Sequence, residues 1–194
     1  FLDTGAMYRA VTYLATAAGL AAENEAGLEA LLADLSIDFD AEDRLFGNGR
    51  DLSRDIRSRE VTGRVSAYAD SPAVRRAMGR LQRELGSRGD LVCEGRDMGT
   101  DVFPDAAVRI YLDASPEVRA ERRALELEQA GETVDRDRLL EEIKARDAAD
   151  SSRAVAPLRR IPEQTYVDSS RLERDEVIER LFVVAQAGLV TRPA

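Results

Sequence analysis

The chain has no histidine among its 194 residues, and only one cysteine, Cys93. The first absence removes imidazole general-base chemistry and the usual zinc sites from consideration. The second rules out an internal disulfide. With no signal-peptide pattern either, the reading is a cytoplasmic protein. Lysine is almost missing as well: Lys144 stands alone among 28 basic residues. Basic chemistry here is therefore arginine chemistry, and arginine offers a planar fork that meets phosphate at two points. No apolar run approaches the roughly 18 residues that span a membrane, so no membrane partner is expected. A net charge of −9 argues against nucleic-acid binding, which needs a basic face.

What remains is a chain of one-domain size, with 44% hydrophobic and 34% charged residues, the composition of a globular protein with a core. Leu91-Val92-Cys93 runs at once into Glu94, Gly95, Arg96, Asp97 and Gly99. A short apolar run bounded by glycine predicts a strand buried on both faces, with Cys93 a buried small hydrophobe. Charge just past its end cannot lie in a dry core. It belongs at the carboxyl edge of a sheet, where open α/β folds bind ligands. Val108–Leu112 and Thr165–Val167 repeat the pattern with Asp113 and Asp168.

The elements between these strands alternate. Phe1-Leu2-Asp3 reads as the end of a strand. A helix follows over about 6–18, with Met7, Val11 and Leu14 on one face, Arg9 in its first turn and Gly19 as its stop. A cation there opposes the helix dipole unless an anion is nearby. A short helix spans 23–35. Residues 36–56 read as a small antiparallel element around the Gly47-Asn48-Gly49 turn. Two further helices follow, one at 60–68 and one starting at Ser71-Pro72, with Val74, Met78, Leu81 and Leu85 as its stripe. Ser115-Pro116 opens a helix ending at Gly131. It carries Arg119, Arg122 and Arg123, which read as solvated face. The next helix, about 135–150, places Leu139 and Ile143 on one side. At about 100° per residue, Arg146, Asp150 and Arg153 fall on that same side. An inward stripe that turns from apolar to charged predicts a cleft. A last helix covers 172–187.

The charged candidates are thus Arg9, Arg75 or Arg76, Arg96, Arg146 and Arg153, with Asp3, Asp97 and Asp150. Arginines stay protonated and cannot be bases. They bind a multiply charged oxyanion and stabilise charge during phosphoryl transfer, a reaction that needs positioning more than a nucleophile.

Three motifs carry a resemblance: Leu2-Asp3-Thr4-Gly5-Ala6-Met7-Tyr8-Arg9; Gly95-Arg96-Asp97-Met98-Gly99-Thr100 with Val102-Phe103-Pro104-Asp105 behind it; and Arg146-Asp147, Asp150, Arg153-Ala154-Val155-Ala156-Pro157-Leu158. In their order and spread, the chain resembles the bacterial cytidylate kinases, P-loop nucleoside monophosphate kinases. The resemblance implies an α/β fold, a parallel sheet flanked by helices, with a monophosphate-binding insert (36–85) in a core of 1–35 and 86–194 and a short lid near 119–153. It implies transfer of the γ-phosphoryl group of ATP to CMP or dCMP with Mg²⁺, in pyrimidine nucleotide metabolism, by a monomeric enzyme. Thr4, Arg9, Arg96 and Arg153 would hold the acceptor phosphate, with Arg9, Arg96 and Arg153 as catalytic arginines. Ser66, Arg75 and Asp97 would contact cytosine, and Arg146 and Asp150 the sugar. Asp97 would accept from the cytosine amine, whereas uracil would leave its charge unmet. Arg119, Arg122 and Arg123 fall in the lid-proximal stretch. Such kinases open with a Gly-rich Walker A loop ending Gly-Lys-Ser/Thr, and no such pattern occurs here; Lys144 stands in the wrong context. The donor-phosphate and metal ligands are then unknown, and the expectation is a fragment of an active kinase, inactive alone. Two alternatives remain open: a kinase that uses UMP and CMP alike, and a non-catalytic nucleotide-binding module.

Overall fold

The computed structural model describes residues 1–190 and, of Val190, the backbone only. It divides into two compact units, Phe1–Met98 and the chain from Gly99 onward. Each unit is built on a pair of parallel strands. Parallel strands need a long crossover, and both pairs cross over through helices.

In the first unit, β1 (Leu2–Asp3) pairs with β5 (Cys93–Glu94), with Leu2 opposite Cys93 and Asp3 opposite Glu94. The crossover contains α1 (Thr4–Ala17), α2 (Glu25–Ala33), α3 (Arg59–Asp70) and α4 (Pro72–Gly86). It also contains an antiparallel sheet of β2 (Ile37–Phe39), β3 (Leu45–Gly47) and β4 (Arg50–Asp51). Asn48 and Gly49 both take positive φ, 50° and 76°, as the two-residue turn between β3 and β4 requires. One apolar cluster runs through the unit. Met7 and Val11 of α1 are fully buried with Leu28, Leu45, Leu52, Val74 and Met78, each worth about 1.5–3 kcal/mol in removed apolar surface. Residues 36–85 therefore share their core with 2–35.

The strand predicted at 91–94 is shorter and more open than its composition suggests. Val92 is 71% exposed and Cys93 only half-buried. Successive residues face opposite sides of a strand. Leu91 and Cys93 turn toward the apolar cluster, and Val92 turns away from it.

In the second unit, β6 (Ile110–Asp113) pairs with β7 (Thr165–Asp168) in parallel, ending with Asp113 opposite Asp168. Between them lie α5 (Pro116–Gln129) and α6 (Arg136–Ser152), and α7 (Arg174–Val190) follows. Its buried apolar side chains, among the described residues, are small or β-branched: Val102, Ala114, Ala120, Ala124 and Val167. Arg122 of α5 donates to Ser169 Oγ (3.1 Å) and to the Ser169 carbonyl (2.7 Å), which fixes α5 to the end of β7.

Among the helix starts, that of α4 has help from a distant residue. Ser71 caps it, accepting from the Val74 N–H. Glu25 of α2 accepts from Ser71 Oγ (2.6 Å) and from the Ala73 N–H (2.9 Å). A carboxylate at a helix N-terminus satisfies free donors and opposes the positive end of the dipole. Glu25→Gln is expected to lower stability by about 1–2 kcal/mol. A urea unfolding midpoint equal to that of the parent chain would show that the contact contributes nothing.

Candidate active site

In the first unit the carboxyl end of the strand pair meets the start of α1. Asp3 caps this helix, its Oδ1 accepting from the Ala6 N–H at 2.8 Å. Thr4 is buried, and its Oγ1 donates to the Glu94 carbonyl at 2.5 Å. The approach is close enough to demand glycine at 95. A Cβ there would stand 2.6 Å from Thr4 Oγ1 and 2.9 Å from Met98 Cγ. The strand register also sets two carboxylates side by side, Asp3 and Glu94. Burial and then the Asp3 charge hold the Glu94 carboxyl above its ordinary range.

Asp97 follows within three residues and is buried at 6% exposure, as is Arg75 of α4. Arg75 Nη2 donates to Asp97 Oδ2 at 2.6 Å, and Nη1 donates to the Ala69 carbonyl at 3.3 Å. The guanidinium lies 5.8 Å from the centroid of the Tyr8 ring, within range of cation–π attraction. Neither charge would tolerate this burial without the other. The structure thereby separates the two adjacent candidates: Arg76 pairs with Glu29 at the surface, both side chains 60% exposed.

Arg9 is half-buried and Nη1 donates to Thr62 Oγ1 on α3 at 2.9 Å. Ser66 lies one turn beyond Thr62 on that helix and is exposed, as is Arg96. Thr4, Arg9, Arg75 and Asp97 are thus gathered around α1, with Glu94 beside them and with Tyr8 and Thr62 as neighbours that the charge pattern did not single out. Tyr8 stands inside the first motif, and its ring could only be linked to Arg75 by the fold. A cavity of about 220 Å³ opens beside the first turn of α1, lined by Asp3, Ala6, Ser53 and Arg57 among others.

In the second unit, α6 carries the third motif. Leu139 and Ile143 are half-buried, and Asp150 two turns later is 1% exposed. The stripe does turn from apolar to charged. Arg153, the residue that closes the helix, pairs through Nη2 with Asp150 Oδ1 at 2.5 Å. The Asp150 carbonyl accepts from the Leu158 N–H at 2.8 Å, which folds the connector back onto the helix end. Arg146 shares the stripe but is exposed. A long arginine can carry its charge out to water, and a short aspartate cannot. Of the three α5 arginines read as solvated, Arg122 and Arg123 are exposed and Arg119 is half-buried; Arg123 bonds Glu126 at the surface. Arg119 is paired with Asp147 and Arg122 with Ser169. Both bonds span long stretches of sequence, which helical spacing does not reveal.

The Asp3–Glu94 neighbourhood yields a pH prediction. A carboxyl raised in the folded chain holds its proton more tightly there than in the unfolded chain. Glu94 is therefore least costly below its ordinary value of 4.5, and stability falls as pH rises from there through the raised value. Glu94→Gln lacks this loss. Its urea midpoint should gain on the parent's as pH goes from about 4 to about 7. A difference that stays constant over that range would show that the Glu94 carboxyl is not raised in the folded chain.

Comparison with known proteins follows the same lines as the geometry. The cytidylate kinase family model matches residues 1–187. A cytidylate kinase from Syntrophotalea carbinolica is 44% identical over 100% of this chain and 84% of its own length. Relatives of the same name from Anoxybacillus flavithermus and Clostridium tetani are 43% and 37% identical, over 96% and 98% of this chain and 84% of their own lengths in each case. A match of this extent, on a chain whose strand edges and helix starts gather buried arginine–carboxylate pairs, shows that it belongs to the cytidylate kinase family.

Proposed function

We propose that the protein transfers the γ-phosphoryl group of ATP to CMP or dCMP, giving CDP or dCDP, in pyrimidine nucleotide metabolism. Family membership over nearly the whole chain supports the reaction class. The observation that carries the substrate reading is the buried Arg75–Asp97 pair beside the start of α1.

On this reading Thr4, Arg9, Arg96 and Arg153 hold the acceptor phosphate. Fixed positive charge there offsets charge that shifts during transfer, and no side chain need act as nucleophile. Ser66, Arg75 and Asp97 contact cytosine, and Arg146 and Asp150 the sugar. The pairing of Asp97 changes the reason for base choice. Its charge is already met by Arg75, so uracil would not strand a bare charge. A carboxylate oxygen remains an acceptor all the same. The cytosine amine donates to it, whereas the uracil carbonyl would oppose oxygen to oxygen, a mismatch of about 1–3 kcal/mol.

Mg²⁺ accompanies ATP in this chemistry and supplies charge neutralisation on the phosphates. Among the described residues no group of three or more His, Cys, Asp or Glu side chains is placed to hold a metal. Asp3 and Glu94, in register with the Glu94 carboxyl raised by burial and by the Asp3 charge, fit a cation that keeps most of its water, as Mg²⁺ does. We assign the donor phosphates to no residue of this chain, because the Gly-Lys-Ser/Thr ending of a Walker A loop does not occur in it. No helix among the described residues is long and apolar enough to cross a membrane. We read the protein as a cytoplasmic monomer acting on small molecules, without nucleic-acid partners, and divide it into a core of 1–35 and 86–194, an insert of 36–85 and a lid near 119–153.

The test is ATP-dependent phosphorylation of CMP, dCMP, UMP and AMP by the protein expressed with its natural amino terminus. CMP and dCMP should be strongly preferred, and Asp97→Asn should narrow the gap to UMP by on the order of tenfold. Equal use of UMP by the parent would keep the kinase and remove the base-reading role of Asp97. Transfer to none of the four would favour a nucleotide-binding module.

A further inference from the structure

We propose that Arg119 and Asp147 are a positioning pair that orients α6 for the acceptor nucleotide. Arg119 sits in the first turns of α5. Its Nη1 donates to Asp147 Oδ1 at 3.0 Å and its Nη2 to Asp147 Oδ2 at 2.6 Å. The third edge of the guanidinium is used as well: Nε donates to the Ala114 carbonyl at 2.9 Å, directly after the end of β6. Both side chains are largely covered, 31% and 24% exposed. A fork held on three sides leaves Asp147 little freedom, and lysine has no equivalent geometry. The Arg119 guanidinium is held above its ordinary value, first by the bond to Asp147.

Asp147 matters because of where it lies. It is the neighbour of Arg146 and stands three residues before Asp150. The helix itself has weak apolar anchorage: Asp150 is its one buried residue. Its start is tied to α5 by Arg136, which bonds Glu121 and Glu128. Its second half, which bears Arg146, Asp150 and Arg153, is tied by the Arg119 fork to the edge of the sheet. Rotating α6 by part of a turn would carry all three side chains off their direction at once. A pair that acts through this geometry should weaken nucleotide binding first, and lower the rate only as far as Arg153 moves with the helix.

This inference rests on the reading of α6 as a nucleotide-contacting helix. Kinetics with CMP, dCMP and ATP on the protein with its natural amino terminus separate the two. Asp147→Asn and Arg119→Gln should each raise KM for CMP about tenfold, with a smaller fall in kcat as Arg153 shifts and KM for ATP nearly unchanged, and the double variant should be no worse than either single one. Arg119→Lys should behave like Arg119→Gln. Circular dichroism melting and calorimetric CMP titration of Asp147→Asn, the milder change, distinguish lost positioning from lost folding. Additive effects, or an unchanged KM for CMP in Asp147→Asn, would overturn the pairing. So would a fall in kcat at constant KM in Arg119→Gln, which would place that side chain on the transferring group. A parent enzyme that ignores CMP would defeat the reading of the site itself, and the pairing proposal with it.

Discussion

Arg75 and Asp97 are both nearly sealed from water, and each is tolerable only because the other is 2.6 Å away. Removing an ionised group from water costs several kcal/mol, so a pair of this kind fixes the positions of the elements that bear it. Arg75 belongs to the first turns of α4, and Asp97 to the chain just beyond β5. The pair therefore ties the crossover helix to the strand edge. Tyr8 of α1 lies against the same guanidinium. Thr4, Glu94 and Gly95 close the remaining distance between α1 and β5. Much of the first unit's geometry at the strand edge thus follows from one buried charge pair and one obligatory glycine.

The second unit solves a similar problem with less apolar material. Its buried apolar residues are mostly alanines, and α5 and α6 are held by arginine forks instead. Arg119 and Arg122 reach from α5 to Asp147 and Ser169, while Arg153 closes on Asp150. Arginine suits this use because its donors are arranged in a plane and its charge does not switch off. The same property suits it to phosphate. A chain with one lysine among its 28 basic residues relies on that group for both structure and binding.

The two roles explain what pattern reading could and could not separate. The helix starts at Ser71-Pro72 and Ser115-Pro116, the stop at Gly131 and the Asn48-Gly49 turn were legible, because each depends on a few adjacent residues with a fixed backbone preference. The buried stripes of α1 and α4 were legible for the same reason, since helical period places Met7 with Val11 and Val74 with Met78. Val92 was not: an apolar residue in a short strand shows no sign of which face the fold will cover. Nor was the difference between Arg75 and Arg76, which follow each other on one helix and meet a buried aspartate and a surface glutamate respectively.

The sequence by itself determined the family, the order of strands and helices, and the arginine-based character of the chemistry. Those properties are written in motifs, periodicity and composition, which are local or cumulative along the chain. Tertiary structure decided which charges are buried, which arginines hold the protein together and which carboxylates stand in register. Most of these depend on the distance between residues far apart in sequence, as with Arg75 and Asp97 or Thr4 and Glu94. Electrostatic and hydrogen-bond energies fall steeply with distance and rise as water is excluded, so only the folded chain assigns them.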